Sequence, residues 1–235
     1  MTDQPGGPIP GSDAQRRVRR SPLLFTAPIV LLCLLTVILG WEIARANMTE
    51  QARTDWPWRL QLLDMEPLGS LLAVAAAAVL ARAQYARTVR PYLGWRSDWT
   101  TGALRGNDAE WHSGVYNGGQ HPAVIERYEC RVVLAGESDQ ASTPWTDVPG
   151  VAATLTAAGL VVGEDFQIPL FGSFPLVGTG TYETVLMGAF SRRFVDEVDA
   201  LYMRVRVVDT VGDSHERIMN CLKGARSTGY LPPSS

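Results

Sequence analysis

Three histidines, His112, His121 and His215, are the only imidazoles in this chain of 235 residues. None stands in an H-x-x-x-H or C-x-x-C spacing, the patterns that bring two ligands from one helix or turn onto one metal. Neither a metal nor a cofactor is therefore expected. His121 precedes Pro122 and reads as a loop residue. His215 adjoins Glu216 on an expected strand, where consecutive side chains face opposite sides of the sheet and do not act together. Hydrolysis would require a nucleophile on a strained elbow, yet Gly172-Ser173-Phe174-Pro175 lacks the G-x-S-x-G frame and no helical pattern follows it. Gly178-Thr179-Gly180 has neither a Lys-Ser/Thr ending nor a βαβ context, which makes it a connection rather than a phosphate cradle. Asp196, Glu197 and Asp199 form an acidic cluster that reads either as a cation site or, more commonly, as a solvated bend. One enzymatic arrangement stays open, a convergence of His121, Asp209 and His215 in a pocket. Without a nucleophile in a recognisable frame, the expectation is that the protein is not an enzyme.

The elements that would position these residues fall into two halves. Pro22 to Trp41 is a run of 20 residues without a charge, close to the ~20 that cross ~30 Å of hydrocarbon. Arg16, Arg17, Arg19 and Arg20 precede it, an arginine cluster of the kind that stays in the cytoplasm. Pro22 suits a first helical turn, and Pro28 lies inside the run, where membrane helices tolerate it. A second run, Pro67 to Ala81, has 15 uncharged residues and extends past Arg82 if that side chain snorkels. The spacing predicts spans over about 22–44 and 65–86. The alternative for the second is a buried, alanine-rich helix of a soluble fold. Trp41, Trp56 and Trp58 are expected at headgroup level around the intervening loop, with Arg82, Arg87 and Arg90 marking the inner side after the second span. The start of the chain also fits a signal peptide cleaved at Ala44-Arg45-Ala46, although its apolar block exceeds the usual ~7–15 residues.

From Trp95 onward the apolar period becomes two. Within Val124–Leu134, residues Val124, Tyr128, Cys130, Val132 and Leu134 share one parity; within Leu201–Val207, Leu201, Met203, Val205 and Val207 do so. A Gly-containing turn leads from the second strand to a partner over Ser214–Leu222, a hairpin. Weaker strands are expected over Glu110–Tyr116, Phe166–Leu170, Glu183–Phe190 and near Phe194–Val198. Asp147 is placed to cap a short helix over Val151–Ala158, with Pro149 in its first turn and Gly159 ending it. Six or seven strands and one helix predict an antiparallel β-sandwich whose inner layers hold Val132, Leu134, Met203 and Val205. Cys33 falls in the first span, and Cys130 and Cys221 lie on separate strands as free buried thiols if the domain is cytosolic.

The stretch Tyr116-Asn117-Gly118-Gly119-Gln120-His121-Pro122-Ala123-Val124-Ile125, continued by Glu126-Arg127-Tyr128-Glu129, resembles small bacterial, actinobacterial-like membrane proteins that carry an Ig-like β-sandwich beside two helices. The Val208-Asp209-Thr210-Val211-Gly212 hairpin is similar to the strand, D-x-x-G, strand ending of such sandwiches. The resemblance implies a fold and a membrane anchor and transfers no functional residue. The chain departs from true immunoglobulin domains in lacking the buried tryptophan placed between two paired cysteines.

The expected organisation is a disordered basic tail over 1–21, a helical hairpin over 22–90, a linker over 91–104, a β-sandwich over 105–226 and a disordered tail over 227–235. After Trp95 there are 11 basic against 17 acidic residues, which argues against nucleic acid as a partner. The expected partners are the lipid bilayer and a protein. The expected location is the inner (plasma) membrane, with both termini cytoplasmic. The leading expectation is an interaction or scaffold module. The alternatives are an accessory or regulatory subunit of a transporter or sensor and, further off, an enzyme. Sandwich loops supply the candidate contact residues, Asn117 and His121 from one and Phe171 and Phe174 from another.

Overall fold

A computed structural model describes residues 14–19, 22–106, 108–136, 144–178 and 184–228. The expectations for the remainder of the tails, for Arg20 and for Thr179-Gly180 lie outside the described residues. The chain divides into two compact units, a helical one over Arg20–Thr88 and a β unit formed by the residues on either side of it.

In the helical unit, α1 spans Pro22–Ala46 and α3 spans Met65–Thr88, joined through the short α2, Glu50–Thr54. At 1.5 Å per residue each long helix covers roughly 36 Å. Both are long and apolar enough to cross a membrane. They meet along a narrow seam, where Leu35, Leu68 and Ala75 are buried against Leu32, Ile38, Leu39, Leu63 and Leu72. Alanine on α3 lets the backbones approach there. The other faces stay apolar and uncovered, with Leu34, Val37, Val74 and Leu80 all exposed.

The β unit has two antiparallel sheets that share one hydrophobic core. The first is ordered β1-β9-β8-β4-β6, built from Arg16–Arg19, Ser214–Asn220, Val198–Asp209, Ala123–Leu134 and Pro175–Leu176. The second is ordered β2-β3-β7-β5, built from Leu93–Thr100, Glu110–Asn117, Val185–Ser191 and Phe166–Gln167. Period-two alternation produces this arrangement directly. Leu201, Met203, Val205 and Val207 of β8 are fully buried and face the core with Ile125, Cys130 and Val132 of β4. Helix α4, Val148–Ala157, starts where Asp147 Oδ1 accepts the Gly150 N–H at 2.9 Å, with Pro149 in its first turn, and inserts Val151 and Leu155 into the core.

Three expectations are corrected. Residues 93–100 of the expected linker form β2, because Leu93, Trp95 and Trp99 alternate inward against outward Arg96 and Asp98. Residues 16–19 of the expected disordered tail form β1, held to β9 by backbone pairing and by ion pairs with residues about 200 positions away. The strand expected near Phe194–Val198 is instead α5, Arg192–Glu197, because Ser191 accepts the Phe194 N–H and starts a helical turn that places Phe194 and Val195 in the core. Strand β8 begins only at Val198.

Met203 lies at the centre of this core, fully buried between its cross-strand partners Cys130 and Met219. Truncation to alanine at such a position removes packed methylene groups and leaves a cavity. Met203→Ala is therefore expected to cost about 2–5 kcal/mol. Thermal unfolding of the β unit followed by near-UV circular dichroism checks it; a loss under about 0.5 kcal/mol, typical of surface changes, would contradict the shared core.

Candidate functional site

The β unit gathers its chemistry at one end. Strand β2 starts there at Leu93, opposite Asn117 at the end of β3; β4 starts at Ala123, opposite both Asp209 and Leu176; β1 ends at Arg19, opposite Ser214 at the start of β9. Loops 118–122 and 210–213 close this end, and the chain leaves from it at Arg19 and returns at Val89.

Asn117 pins the loops. Its Oδ1 accepts the N–H groups of Gly119 at 3.0 Å and Tyr92 at 3.2 Å, and its Nδ2 donates to the carbonyls of His121 at 2.8 Å and Leu176 at 3.4 Å. One amide side chain thus uses both its donor and acceptor ends. Gly178 makes the loop crossing possible, since a Cβ there would lie 2.4 Å from the His121 carbonyl oxygen.

Asp209 and His215 lock the β8–β9 hairpin. Asp209 Oδ1 accepts the N–H groups of Val211 and Asp213, both at 2.9 Å, and Oδ2 lies 3.0 Å from His215 Nε2. Burial pushes the Asp209 carboxyl up, but His215 and the two N–H donors outweigh it and hold the group below its ordinary value. His215 is 2% exposed, and its Nδ1 has no hydrogen-bond partner among the described residues.

Glu216, 1% exposed, is the charge centre of the neighbouring strands. Its Oε1 accepts from Arg16 at 2.6 Å and its Oε2 from Arg206 at 2.9 Å. Arg17 approaches Asp213 at 3.6 Å, so the first two arginines of β1 each face a carboxylate of the β9 region. Burial pushes the Glu216 carboxyl up, and the bonds and charges of Arg206 and Arg16 pull it below its ordinary value.

The residues expected to carry function are dispersed. Asn117 is 2% exposed and acts inside the fold, so its side chain is not part of an outer contact surface. His121 is half-buried in the pinned loop. Phe171 packs inward, its ring 5.9 Å from Tyr128 and 5.2 Å from Phe174. Phe174 remains on the surface, near exposed Leu170 and Val177. Burial raises the Tyr128 hydroxyl to about 12, and it donates to the Pro169 carbonyl. Asp209 and His215 do converge, and their contacts serve the hairpin turn. Glu197 pairs with Arg193 at 2.8 Å and Asp199 with Arg226 at 3.0 Å, which separates the acidic cluster into ion pairs. Among the described residues, no group of three His, Cys, Asp or Glu side chains is arranged to hold a metal. Cys130 and Cys221 are free and buried, and burial raises both thiols, Cys221 to about 12.

In the helical unit, Trp41 stacks on Trp58 with ring centroids 4.6 Å apart and donates through Nε1 to the Leu60 carbonyl. Trp56 projects outward, 73% exposed. Glu42, which the sequence reading passed over, is buried beside this stack; it accepts the Leu62 N–H at 2.7 Å and pairs with Arg45 at 2.9 Å. Arg87 and Arg90 are exposed, whereas Arg82 is half-buried with Nε and Nη1 lacking partners. Glu42 and Glu216 carry no local motif. Only their tertiary partners reveal them.

Glu216→Gln removes the charge on which Arg16 and Arg206 converge, with an expected cost of about 2 kcal/mol near neutral pH. A carboxyl held below its unfolded value contributes stability that is present above that value and lost as pH falls toward the folded one. The ordinary value is 4.5, so the contribution of Glu216 fades from there downward, joined from 3.8 by that of Asp209. Thermal unfolding in detergent across the acid range should show a smaller acid-induced loss for Glu216→Gln than for the unmodified protein; equal losses would contradict this assignment.

No family model, curated protein or solved structure matches this chain.

Proposed function

We propose that the protein is a membrane-anchored interaction module in which α1 and α3 cross the bilayer as a hairpin. The two sheets form a β-sandwich that stands on the cytoplasmic side of the plasma membrane and binds a protein partner. The observation that carries this reading is the composition of the β unit, since β1, before α1, joins a sheet whose other four strands all follow α3. A domain built from both flanks of a helical pair lies wholly on one side of a membrane, so the pair between them crosses an even number of times. The uncovered apolar faces of α1 and α3 support the crossing, because a soluble core would bury them. The arginines flanking the pair, Arg16, Arg17, Arg19 and Arg20 on one side and Arg87 and Arg90 on the other, support a cytoplasmic β unit.

The role proposed is interaction rather than catalysis. Asp209, His215 and Asn117 are engaged in holding loops, while Leu170, Phe174 and Val177 offer an apolar surface. A second reading, an accessory or regulatory subunit of a larger membrane complex, is favoured by Arg82 on α3, whose Nε and Nη1 meet no partner among the described residues and suit a carboxylate from another helix. Purification in mild detergent separates the two, since a subunit is recovered with other proteins and an autonomous module without them.

The orientation is tested by fusing reporters to the C-terminus. A fluorescent protein that matures in the cytoplasm should be active, and alkaline phosphatase, which requires export, should be inactive. An active phosphatase fusion would overturn the cytoplasmic placement.

A further inference from the structure

Strand β2 ends its sheet, and its outer edge is open over a definite length. Tyr92 just ahead of it turns its carbonyl toward the neighbouring strand, accepting the Gly118 N–H at 2.8 Å. Leu93 points the other way, and both its groups are taken, the N–H by Gln15 Oε1 at 2.9 Å and the carbonyl by Arg217 Nη1. Backbone groups alternate along a strand. Gly94, Arg96, Asp98 and Thr100 therefore bond to β3, and Trp95, Ser97 and Trp99 direct N–H and C=O groups outward, where no described residue meets them. The three open positions are centred on Ser97.

We propose that this edge pairs with the same edge of a second copy, antiparallel and with the two-fold axis at Ser97. In that register Ser97 opposes its own counterpart, Trp95 opposes Trp99 of the second copy, and all three are hydrogen-bonded pairs. Between them lie the closer, non-hydrogen-bonded positions, where Arg96 opposes Asp98 of the second copy and Asp98 opposes its Arg96. These two side chains lie 3.5 Å apart as an ion pair within one chain, are 65% and 56% exposed on the outer face, and about Ser97 can exchange that screened pairing for the same pairing with the second copy. Centring the pair on Trp95 would set Arg96 against Gly94, and centring it on Trp99 would set Asp98 against Thr100, so the charges select the Ser97 register. On the inner face the half-buried Trp95 and Trp99, each already covered on one side by Arg217 and Arg192 respectively, would gain a neighbour across the axis. The result joins the two four-stranded sheets into one of eight.

The test is the mass of the full chain in mild detergent at micromolar concentration, measured by light scattering. The unmodified chain should be a dimer. Arg96→Asp places carboxylates opposite each other at both sites and Asp98→Arg places guanidiniums there, so each should weaken the dimer by about tenfold or more. The double variant Arg96→Asp with Asp98→Arg restores opposite charges and should restore the dimer. A monomeric unmodified chain, a dimer that neither reversal weakens, or a double variant that stays as weak as the singles would overturn the proposal. The second of these results would place the contact in the helices instead. The reporter fusions address orientation separately, so either conclusion can fail without the other.

Discussion

Four residues ahead of the first long helix pair with β9, and this pairing makes the β unit discontinuous in sequence. It is held by more than backbone bonds. Arg16 reaches buried Glu216, which Arg206 of the adjacent strand also contacts, and Arg17 approaches Asp213 in the hairpin turn. A buried carboxylate with two arginines on it is costly to leave unpaired, so β1 is bound where an isolated four-residue strand would fray. Both connections to the helical unit leave the same end of the sheets as a consequence. Gln15, reaching the Pro91 carbonyl at 2.7 Å and the Leu93 N–H, ties those two connections to each other directly.

That end of the molecule is ordered by side chains acting on backbone. Asn117 holds two loops and the chain arriving from the helices, and Asp209 with His215 shapes the turn beside it. The neighbouring apolar surface at Phe174 is carried by Phe171, whose ring joins it to Tyr128 and so to the core. The connection between the two long helices is ordered in the same manner, by Glu42 on the Leu62 N–H and by the Trp41–Trp58 stack. Asn117, Asp209 and Glu42 thus satisfy backbone groups that turns and strand ends leave open.

Much of the architecture is legible in residue order because burial imposes a period. The alternation along β8 and along β4 from Tyr128 onward, the turn between β8 and β9, the cap at Asp147 and the two apolar runs all follow from local pattern, whereas a register shift between Ile125 and Arg127 turns Ile125 inward and leaves Val124, expected on the dry face, exposed. Strand β2 was hidden because Ser97 interrupts its inward face, Gly94 gives its outward face no side chain, and Arg96 reads as one more basic residue beside a membrane. Strand β1 was hidden more deeply. Its arginines have the pattern of an anchor, and the carboxylates that make them structural lie some 200 residues away. The turn of α5 depends on Ser191 acting as a cap, a role that its neighbours also permit it to lack. Of the candidate contact residues, Phe174 keeps its surface position, whereas Asn117, legible as a turn residue, is drawn inside by four partners that no local pattern specifies.

The account rests on both flanks of the helical pair lying on one side of a membrane. The direct measurement is labelling of introduced cysteines by a membrane-impermeant maleimide, with Cys33 replaced by serine, the buried Cys130 and Cys221 retained as the unlabelled background, and cysteine introduced in turn at exposed Ala14, Gln51 and Ser227. In intact cells Gln51→Cys should label, while Ala14→Cys and Ser227→Cys should label only after permeabilisation. Labelling of Ala14→Cys and Ser227→Cys from opposite sides would contradict it.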